Sequence, residues 1–121
     1  MTTDFKPTKY NFDQTNKIDL GNKIIYKYPT PTFKYDIAKM VVNGRHPVDP
    51  DTFLVEHACE FIMYILSGEG IVQAGDDKFN VKPGDTVFVP KDTKFAVEGK
   101  FVYITVDVPA FYLEQSEEVK I

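Results

Sequence analysis

The stretch from Phe53 to Pro90 constrains the fold of this chain more than any other. In it, short runs of β-branched and aromatic residues alternate with sequences rich in glycine, proline or aspartate. Such runs predict strands, and the sequences between them predict tight turns of an antiparallel structure. The predicted strands are Phe53–His57, Phe61–Leu66, Gly70–Gln73, Lys78–Val81 and Thr86–Val89. The predicted turns are Ser67-Gly68, Gly75-Asp76-Asp77 and Pro83-Gly84-Asp85.

The rest of the chain adds further strands and two end segments. The additional strands are Asn22–Tyr28, Phe33–Val42, Thr93–Val97 and Phe101–Val108, the last two joined by a turn at Glu98-Gly99-Lys100. Residues 1–20 are polar and predict an arm over the domain, and residues 110–121 predict a short helix or an ordered arm. About nine short strands with hardly any helix pattern predict an all-β domain at residues 21–109. A jelly-roll barrel suits this spacing.

Composition excludes two classes of partner. The net charge is −4 and no basic cluster occurs, so the electrostatic requirement for binding nucleic acid is missing. No apolar run reaches the roughly 18–20 residues of a membrane helix, and the N-terminus lacks the apolar segment of a signal peptide. The single cysteine, Cys59, cannot form an internal disulfide, which fits a reducing compartment. We therefore expect a cytoplasmic protein of one domain.

A long loop is predicted between two of the strands, at Asn43–Asp51. Its roughly nine residues exceed what a hairpin needs, and such loops often carry function. It contains His46 and the only arginine of the chain, Arg45. The guanidinium offers a planar set of donors for a carboxylate or phosphate, so both residues are candidate ligand-binding groups. A solvated loop without a ligand is the alternative.

The segment from Arg45 to Pro109 resembles a single-domain cupin, a small jelly-roll barrel with the RmlC-like fold. The run Tyr64–Gly70 matches the end of the first cupin motif, and Gly84-Asp85 with Pro90 matches the start of the second. Glycines at such positions supply backbone conformations with positive φ. Similar small cupins are often described as mannose-6-phosphate-isomerase-like. This description refers to the fold more than to the activity.

The metal-binding positions of the cupin motifs depart from the family pattern. The resemblance places the two histidines of the first motif at Val55 and His57 and its glutamate at Phe61, and the histidine of the second motif at Phe95. In metal-containing cupins this set holds Fe, Mn, Zn or Ni. Two phenylalanines and a valine supply no donor atoms, so the usual metal site is not expected. A β-bulge that turns Glu60 or Cys59 inward beside His57 would rebuild one, and this alternative stays open.

His57, Glu60 and Tyr64 are the candidate catalytic residues. His57 shares a predicted strand face with Phe53 and Val55, which would be the barrel interior. There it is either a histidine hydrogen-bonded in an apolar core or a general acid or base. A nearby carboxylate such as Glu60 would position and ionise it, although a regular strand puts Glu60 on the opposite face. Tyr103 is a candidate to line the pocket, and Cys59 is expected to be a small buried side chain rather than a nucleophile.

The strand Phe61–Leu66 is apolar on both faces. One face fills the barrel and the other requires a cover, which predicts a homodimer. The first functional hypothesis is a cupin that binds a small polar metabolite, such as a sugar derivative, in the barrel mouth. If it is an enzyme, a metal-independent isomerase or epimerase is the expected class. The alternative is a non-catalytic ligand sensor or dimeric interaction module whose barrel is filled.

Overall fold

The computed structural model describes residues 6–121. The first five residues of the predicted arm 1–20 lie outside the described residues. From residue 6 onward the chain is almost entirely strand, which confirms the all-β prediction. Its strands are β1 (Asn16–Asp19), β2 (Lys23–Lys27), β3 (Asp36–His46), β4 (Thr52–Glu56), β5 (Glu60–Ala74), β6 (Asp77–Val81), β7 (Thr86–Val89), β8 (Lys94–Val108) and β9 (Ser116–Lys120). Two short 3-10 helices are at Phe12–Gln14 and Leu113–Gln115.

The strands form one curled antiparallel sheet. Along its main path the order is β1-β2-β3-β8-β4-β9, and β5 joins this path through β8 while it also pairs with β6 and β7. The two longest strands, β5 and β8, pair along almost their entire lengths. Because these long strands bend, each belongs to both halves of the curled sheet. A separate turn is therefore not needed at each bend.

The predicted turn at Ser67-Gly68 is wrong, because β5 continues through it. A β-bulge between Ile65 and Ser67 shifts the register against β8 at this point. Gly68 has φ +79°, and a Cβ atom there would collide with the backbone carbonyl oxygen of Lys100. The glycine therefore allows a bend and a close approach of two strands rather than a turn.

The predicted turn at Glu98-Gly99-Lys100 is also wrong, since β8 runs from Lys94 to Val108 without a break. Gly99 lies opposite Gly70 of β5 and opposite Gly44 of β3. Its φ is +136°, and a Cβ there would be 2.7 Å from the Cα of Gly70. In a sequence, a glycine that faces other glycines across paired strands resembles a turn residue. Here these glycines allow β8 to bend between its neighbours.

The predicted loop Asn43–Asp51 is shorter than expected. Its first four residues, 43–46, continue β3 and pair with residues 97–100 of β8. Only the stretch after His46 leaves the sheet before β4 begins at Thr52.

The barrel interior holds one apolar cluster with contributions from β3, β5, β6, β7 and β8. In β5, Phe61, Met63 and Ile65 are buried while Ile62, Tyr64 and Leu66 are about half exposed, which confirms the predicted alternation. In β8, Tyr103, Thr105 and Asp107 are buried and face inward. The interior thus changes from apolar to polar toward the end of β8.

Both ends of the chain add to the sheet. Residues 16–19 pair with β2, and Phe12 packs against Tyr26 with ring centroids 5.0 Å apart. At the other end, β9 pairs with every residue of β4. Across residues 6–121, no helix has the length and apolarity to cross a membrane.

Candidate functional site

The orientation of β4 decides which side chains enter the barrel. Leu54 pairs with Phe95 of β8, and paired residues of an antiparallel sheet point to the same face. Phe95 belongs to the interior apolar cluster and Leu54 packs against that cluster. Glu56 lies two residues further along β4 and therefore faces inward, while Phe53 and Val55 face the other side.

The predicted interior position of His57 is wrong by one residue. A one-residue shift of register exchanges the two faces of a strand, so Glu56 takes the place that was assigned to His57. Both faces of β4 are covered, and the hydrophobic pattern alone could not reveal the shift: Phe53 and Val55 are buried as well.

Three ionisable side chains from different strands point into the interior. Lys23 of β2 pairs with Val42, a member of the interior cluster, and so points inward, as Glu56 and Asp107 do. All three are at least nine-tenths buried. Their charges influence one another: Glu56 and Asp107 are the carboxylates that favour the charged form of Lys23. We call Lys23, Glu56 and Asp107 the interior charge cluster.

Burial shifts two of these groups toward neutral pH. Loss of solvation lowers the pKa of Lys23 to about 8, against the attraction of the two carboxylates. Loss of solvation likewise raises the pKa of Asp107 to about 7, with a further contribution from the negative charges of Asp36 and Glu56. A carboxyl group with a pKa of about 7 and an ammonium group with a pKa of about 8 can both exchange protons at physiological pH.

Asp36 is the direct neighbour of Asp107 across the β3–β8 pair, but its charge is compensated. Its Oδ2 lies 3.3 Å from Lys27 Nζ and accepts a hydrogen bond from the backbone N–H of Phe111 at 2.8 Å. Within residues 6–121, no ion pair of 4.0 Å or less involves Asp107 or Lys23. Asp36 is therefore a structural carboxylate, whereas Asp107 and Lys23 lack an ion-pair partner among residues 6–121.

Gln115 is buried next to Glu56. It is 5% exposed, and its Nε2 donates a 3.0 Å hydrogen bond to Glu56 Oε2. Its Oε1 accepts from the backbone N–H groups of Ala58 at 3.0 Å and Cys59 at 3.2 Å. The C-terminal segment, whose predicted helix or arm is a 3-10 helix followed by β9, thus positions an interior carboxylate.

Two further polar groups in the interior have unpaired atoms. Thr105 lies between Tyr103 and Asp107 on the inward face of β8, is 2% exposed, and has an Oγ1 without a hydrogen-bond partner among the described residues. His46 Nδ1 is also buried without a partner in this part of the chain. Burial lowers the pKa of His46 to about 4, with contributions from Lys23 and Arg45, so its imidazole is neutral. Unpaired buried polar atoms are costly, and a polar ligand would satisfy them.

His57 lies at the surface, between two carboxylates. Its Nδ1 is 2.8 Å from Asp92 Oδ1 and its Nε2 is 2.8 Å from Glu117 Oε1. These hydrogen bonds, that of Glu117 first, raise the pKa of His57. The histidine thus connects the end of β4, the turn before β8, and β9.

The other predicted catalytic residues are separated from His57. Glu60 and Tyr64 are exposed on the outer face of β5, together with Ile62. Phe61 and Met63, their neighbours in sequence, take the interior positions. The structure does not bring the predicted set His57, Glu60 and Tyr64 into one pocket.

Of the predicted ligand-binding residues, His46 and Tyr103 face the interior, whereas Arg45 does not. The guanidinium of Arg45 is 5.2 Å from the ring of Phe53, on the outward face of β4. Its Nη1 donates to the backbone carbonyl groups of Pro47, Asp49 and Thr52. Arg45 therefore fixes the loop after β3. Tyr103 stacks on Phe101 with centroids 5.6 Å apart, and burial raises the pKa of its hydroxyl.

The positions that correspond to the cupin metal ligands do not fit a metal. Phe61 and Phe95 pack edge to face with centroids 4.8 Å apart, Val55 faces away from the interior, and His57 is at the surface. Throughout residues 6–121, no three His, Cys, Asp or Glu side chains form a group that could hold a metal ion. Cys59 is fully buried, and its Sγ donates to the backbone carbonyl of Pro109 at 3.3 Å, so the bulge that would rebuild a site is not formed.

The sequence patterns did not predict four residues of the interior site, namely Lys23, Glu56, Asp107 and Gln115. A signal was present for two of them: Lys23 opens the apolar run KIIY, and Asp107 continues the inward row of Tyr103 and Thr105. A charged residue in the inward row of a strand is unusual unless it has a partner or a function. For Glu56 and Gln115 the sequence held no such signal, because their positions depend on the β4–β9 pairing.

Comparison with known proteins identifies the family. The model of the cupin domain of mannose-6-phosphate isomerase matches residues 41–108. An uncharacterized protein of Methanocaldococcus jannaschii, MJ1618, is 38% identical over 82 residues, which cover 67% of this chain and 66% of that protein. The match thus spans just under two thirds of this relative.

Solved structures agree on the fold. The nucleoside dehydratase Pac13 superposes with a TM-score of 0.85 and 16% identity, over 96% of this chain and 93% of that one, and Streptomyces variants of it have been solved with uridine. An RmlC-like cupin from Shewanella frigidimarina gives a TM-score of 0.70 and 16% identity, over 87% and 93% of the two chains. The predicted jelly-roll barrel is therefore confirmed, and the chain is a small cupin that belongs to the family of the mannose-6-phosphate isomerase cupin domain.

Proposed function

We propose that this cupin binds a small polar metabolite at the polar end of its barrel and transfers protons on it without a metal. The observation that carries the proposal is the interior charge cluster: Lys23, Glu56 and Asp107 come from three strands and are buried together. Burial of three ionisable groups is costly for stability, and such groups are most often kept for function.

The chemistry that suits this cluster is proton abstraction next to a carbonyl group. The Asp107 carboxylate removes a proton from the carbon next to the carbonyl, and the Lys23 ammonium gives a proton to the carbonyl oxygen. The Asp107 carboxyl then returns its proton to the other carbon or to the other face, and the Lys23 amine takes a proton back from the enediol hydroxyl, which yields an isomer or an epimer. Protons and electrons balance without a further reactant, and Glu56 keeps Lys23 charged through its negative charge.

Two features support a sugar-derived ligand. The polar atoms of Thr105 and His46 without partners in residues 6–121 suit the hydroxyl groups of a sugar. The similar fold of Pac13, a nucleoside dehydratase solved with uridine, is a precedent for a ligand of this class in a small cupin. The departure of Phe61 and Phe95 from the metal-ligand pattern supports chemistry without Fe, Mn, Zn or Ni.

The proposal is tested by solvent exchange. D-ribose, D-mannose and D-galactose are incubated with the protein in D2O, and loss of the C2 proton signal is followed by NMR. We expect exchange with at least one sugar, and its loss in Asp107→Asn and Lys23→Met but not in Glu69→Gln, a carboxylate change at an exposed position. No exchange above the protein-free rate with any of the three, together with no binding, would favour the alternative below.

The alternative is a non-catalytic sensor or interaction module. Its support is the aromatic filling of the barrel by two ring pairs, Phe61 with Phe95 and Phe101 with Tyr103. Under this alternative the interior charge cluster binds a ligand or only water.

We also propose that the protein is a cytoplasmic homodimer. Ile62 pairs with Phe88 of β7 on the outer face of the sheet, and Tyr64 and Leu66 follow in the same row. These four side chains are 43–54% exposed, so they present an apolar surface that a second copy can cover. The buried, reduced Cys59 is compatible with the cytoplasm.

A further inference from the structure

We infer that the interior site takes an uncharged, hydroxyl-rich ligand and excludes phosphorylated and carboxylated sugars. The inference rests on the proposed function and specifies its substrate class. It follows from the charges that surround the site, the positions of the remaining cations, and the neutral polar atoms that lack a partner.

The charges around the site do not favour an anion. Of the three interior carboxylates, Asp36 is paired with Lys27 at 3.3 Å. Lys23 and, after it, Lys27 are the cations that act on Asp107, and Lys27 is already paired with Asp36. With both carboxylates ionised the cluster carries one negative charge, and with Asp107 protonated it is neutral. A phosphate dianion placed here would lose its hydration without gaining a matching positive charge.

The thiol of Cys59 is subject to the negative charges of the same carboxylates. Burial raises the pKa of its thiol to about 11, and the charges of Asp107, Glu56 and Asp36 act in the same direction, with only Lys27 opposing them. Burial and these charges therefore act together to disfavour the thiolate form of Cys59.

Three further cations of the described chain are used elsewhere. Arg45, the most suitable group for a phosphate, donates to three backbone carbonyls and lies over Phe53, outside the interior. Lys94 also lies over the ring of Phe53 and is 3.7 Å from Asp76. Lys39 lies over Phe12, on the outer side of the sheet. None of them can supply the second cation that a buried phosphate requires.

Neutral hydrogen-bonding groups are available instead. The Thr105 hydroxyl both donates and accepts, and its Oγ1 is unpaired among residues 6–121 at 2% exposure. His46 is neutral and has an unpaired Nδ1 in the same part of the chain. Sugar hydroxyls donate and accept in the same way, so they can pair with these atoms and with the carboxyl groups without adding charge.

The test uses matched pairs of ligands that differ only in charge. Binding of uridine, D-ribose and D-galactose is compared with that of uridine 5′-monophosphate, ribose 5-phosphate and galacturonate by NMR saturation transfer and calorimetry. We expect each charged partner to bind at least about tenfold more weakly than its neutral counterpart, because a like charge is brought next to Glu56. The double variant Glu56→Gln, Asp107→Asn should reduce this discrimination, whereas Glu69→Gln should leave it unchanged.

The outcomes separate the two proposals. Equal or tighter binding of the charged partners would overturn the inference while the proposed metabolite site stands. Binding of no member of either series would overturn both. If the double variant does not fold, discrimination is measured for the native protein at pH 5.5 and pH 8.5 with galacturonate, which is ionised at both. Ionisation of Asp107 and loss of the proton from Lys23 should then both weaken its binding at the higher pH relative to galactose, and an unchanged ratio would contradict the inference.

Discussion

Gln115 donates a 3.0 Å hydrogen bond to the carboxylate of Glu56, and this bond ties the C-terminal segment to the barrel interior. The same side chain accepts hydrogen bonds from the backbone N–H groups of Ala58 and Cys59. The far end of the chain therefore determines the position of an interior carboxylate 59 residues earlier in the sequence.

Replacement of Gln115 should be strongly destabilising. Gln115→Leu leaves a buried carboxylate and two backbone N–H groups without partners, so we expect a loss of about 2–4 kcal/mol in the free energy of unfolding. Urea denaturation measures it, with Glu118→Gln on the exposed side of β9 as the control. A loss below about 1 kcal/mol would mean that these groups find water instead.

The surface position of His57 predicts a dependence of stability on pH. Its pKa is raised in the folded protein by Glu117 and Asp92, so protonation favours folding. This contribution is complete below the unfolded value of 6.5 and is lost as the pH rises through the higher folded value. NMR titration of the two histidines should show one above 6.5 and one, His46, near 4. His57→Gln should reduce the slope of the melting temperature in this window, where Asp107 also contributes, and an unchanged slope would contradict the assignment.

Asp107 should cost the folded protein stability at neutral and higher pH. Because its pKa rises from 3.8 to about 7 on folding, the protonated carboxyl favours the fold below pH 3.8 and this advantage is lost as the pH rises through 7. Asp107→Asn should therefore be more stable than the native protein at pH 8, by about 2–4 kcal/mol, with a much smaller gain at pH 4. Thermal denaturation at both pH values provides the comparison. A variant that is less stable at pH 8 would show that Asp107 forms a stabilising ion pair.

Two glycines with similar backbone conformations should respond differently to alanine. Gly68→Ala adds a collision with the Lys100 carbonyl to the cost of a positive φ, so a loss of about 3 kcal/mol is expected. Gly84 has φ +94° but open space around a Cβ, so Gly84→Ala should cost only about 1 kcal/mol. Equal losses in urea denaturation would show that the bulge of β5 relaxes to accept the side chain.

The outer face of β5 should control association. Ile62→Glu places a charge in the proposed dimer surface, and we expect the protein to become monomeric in sedimentation experiments without a large loss of stability. Val48→Glu, at an exposed loop position, should leave the native association state unchanged. A native protein that sediments as a monomer would contradict the proposed dimer directly.

The sequence was informative wherever a local pattern decides the structure. The strands and their glycines identified the barrel, and the alternation in Phe61–Leu66 assigned the two faces of β5. It was not informative for β4, where Phe53, Leu54, Val55 and Glu56 are all partly or fully buried and period-two alternation is lost. Only the pairing of Leu54 with Phe95 shows that Glu56 is inside and His57 outside. That pairing joins residues 41 positions apart, beyond the reach of local patterns.

The most direct measurement is an amide NMR titration with uridine. If the interior charge cluster is the binding site, the shifts that change will belong to Lys23, Glu56, Thr105 and Asp107, and Asp107→Asn will reduce them. Changes that centre on His57, Glu60 and Tyr64 with the interior unaffected would contradict this account, as would saturable binding that Asp107→Asn leaves intact.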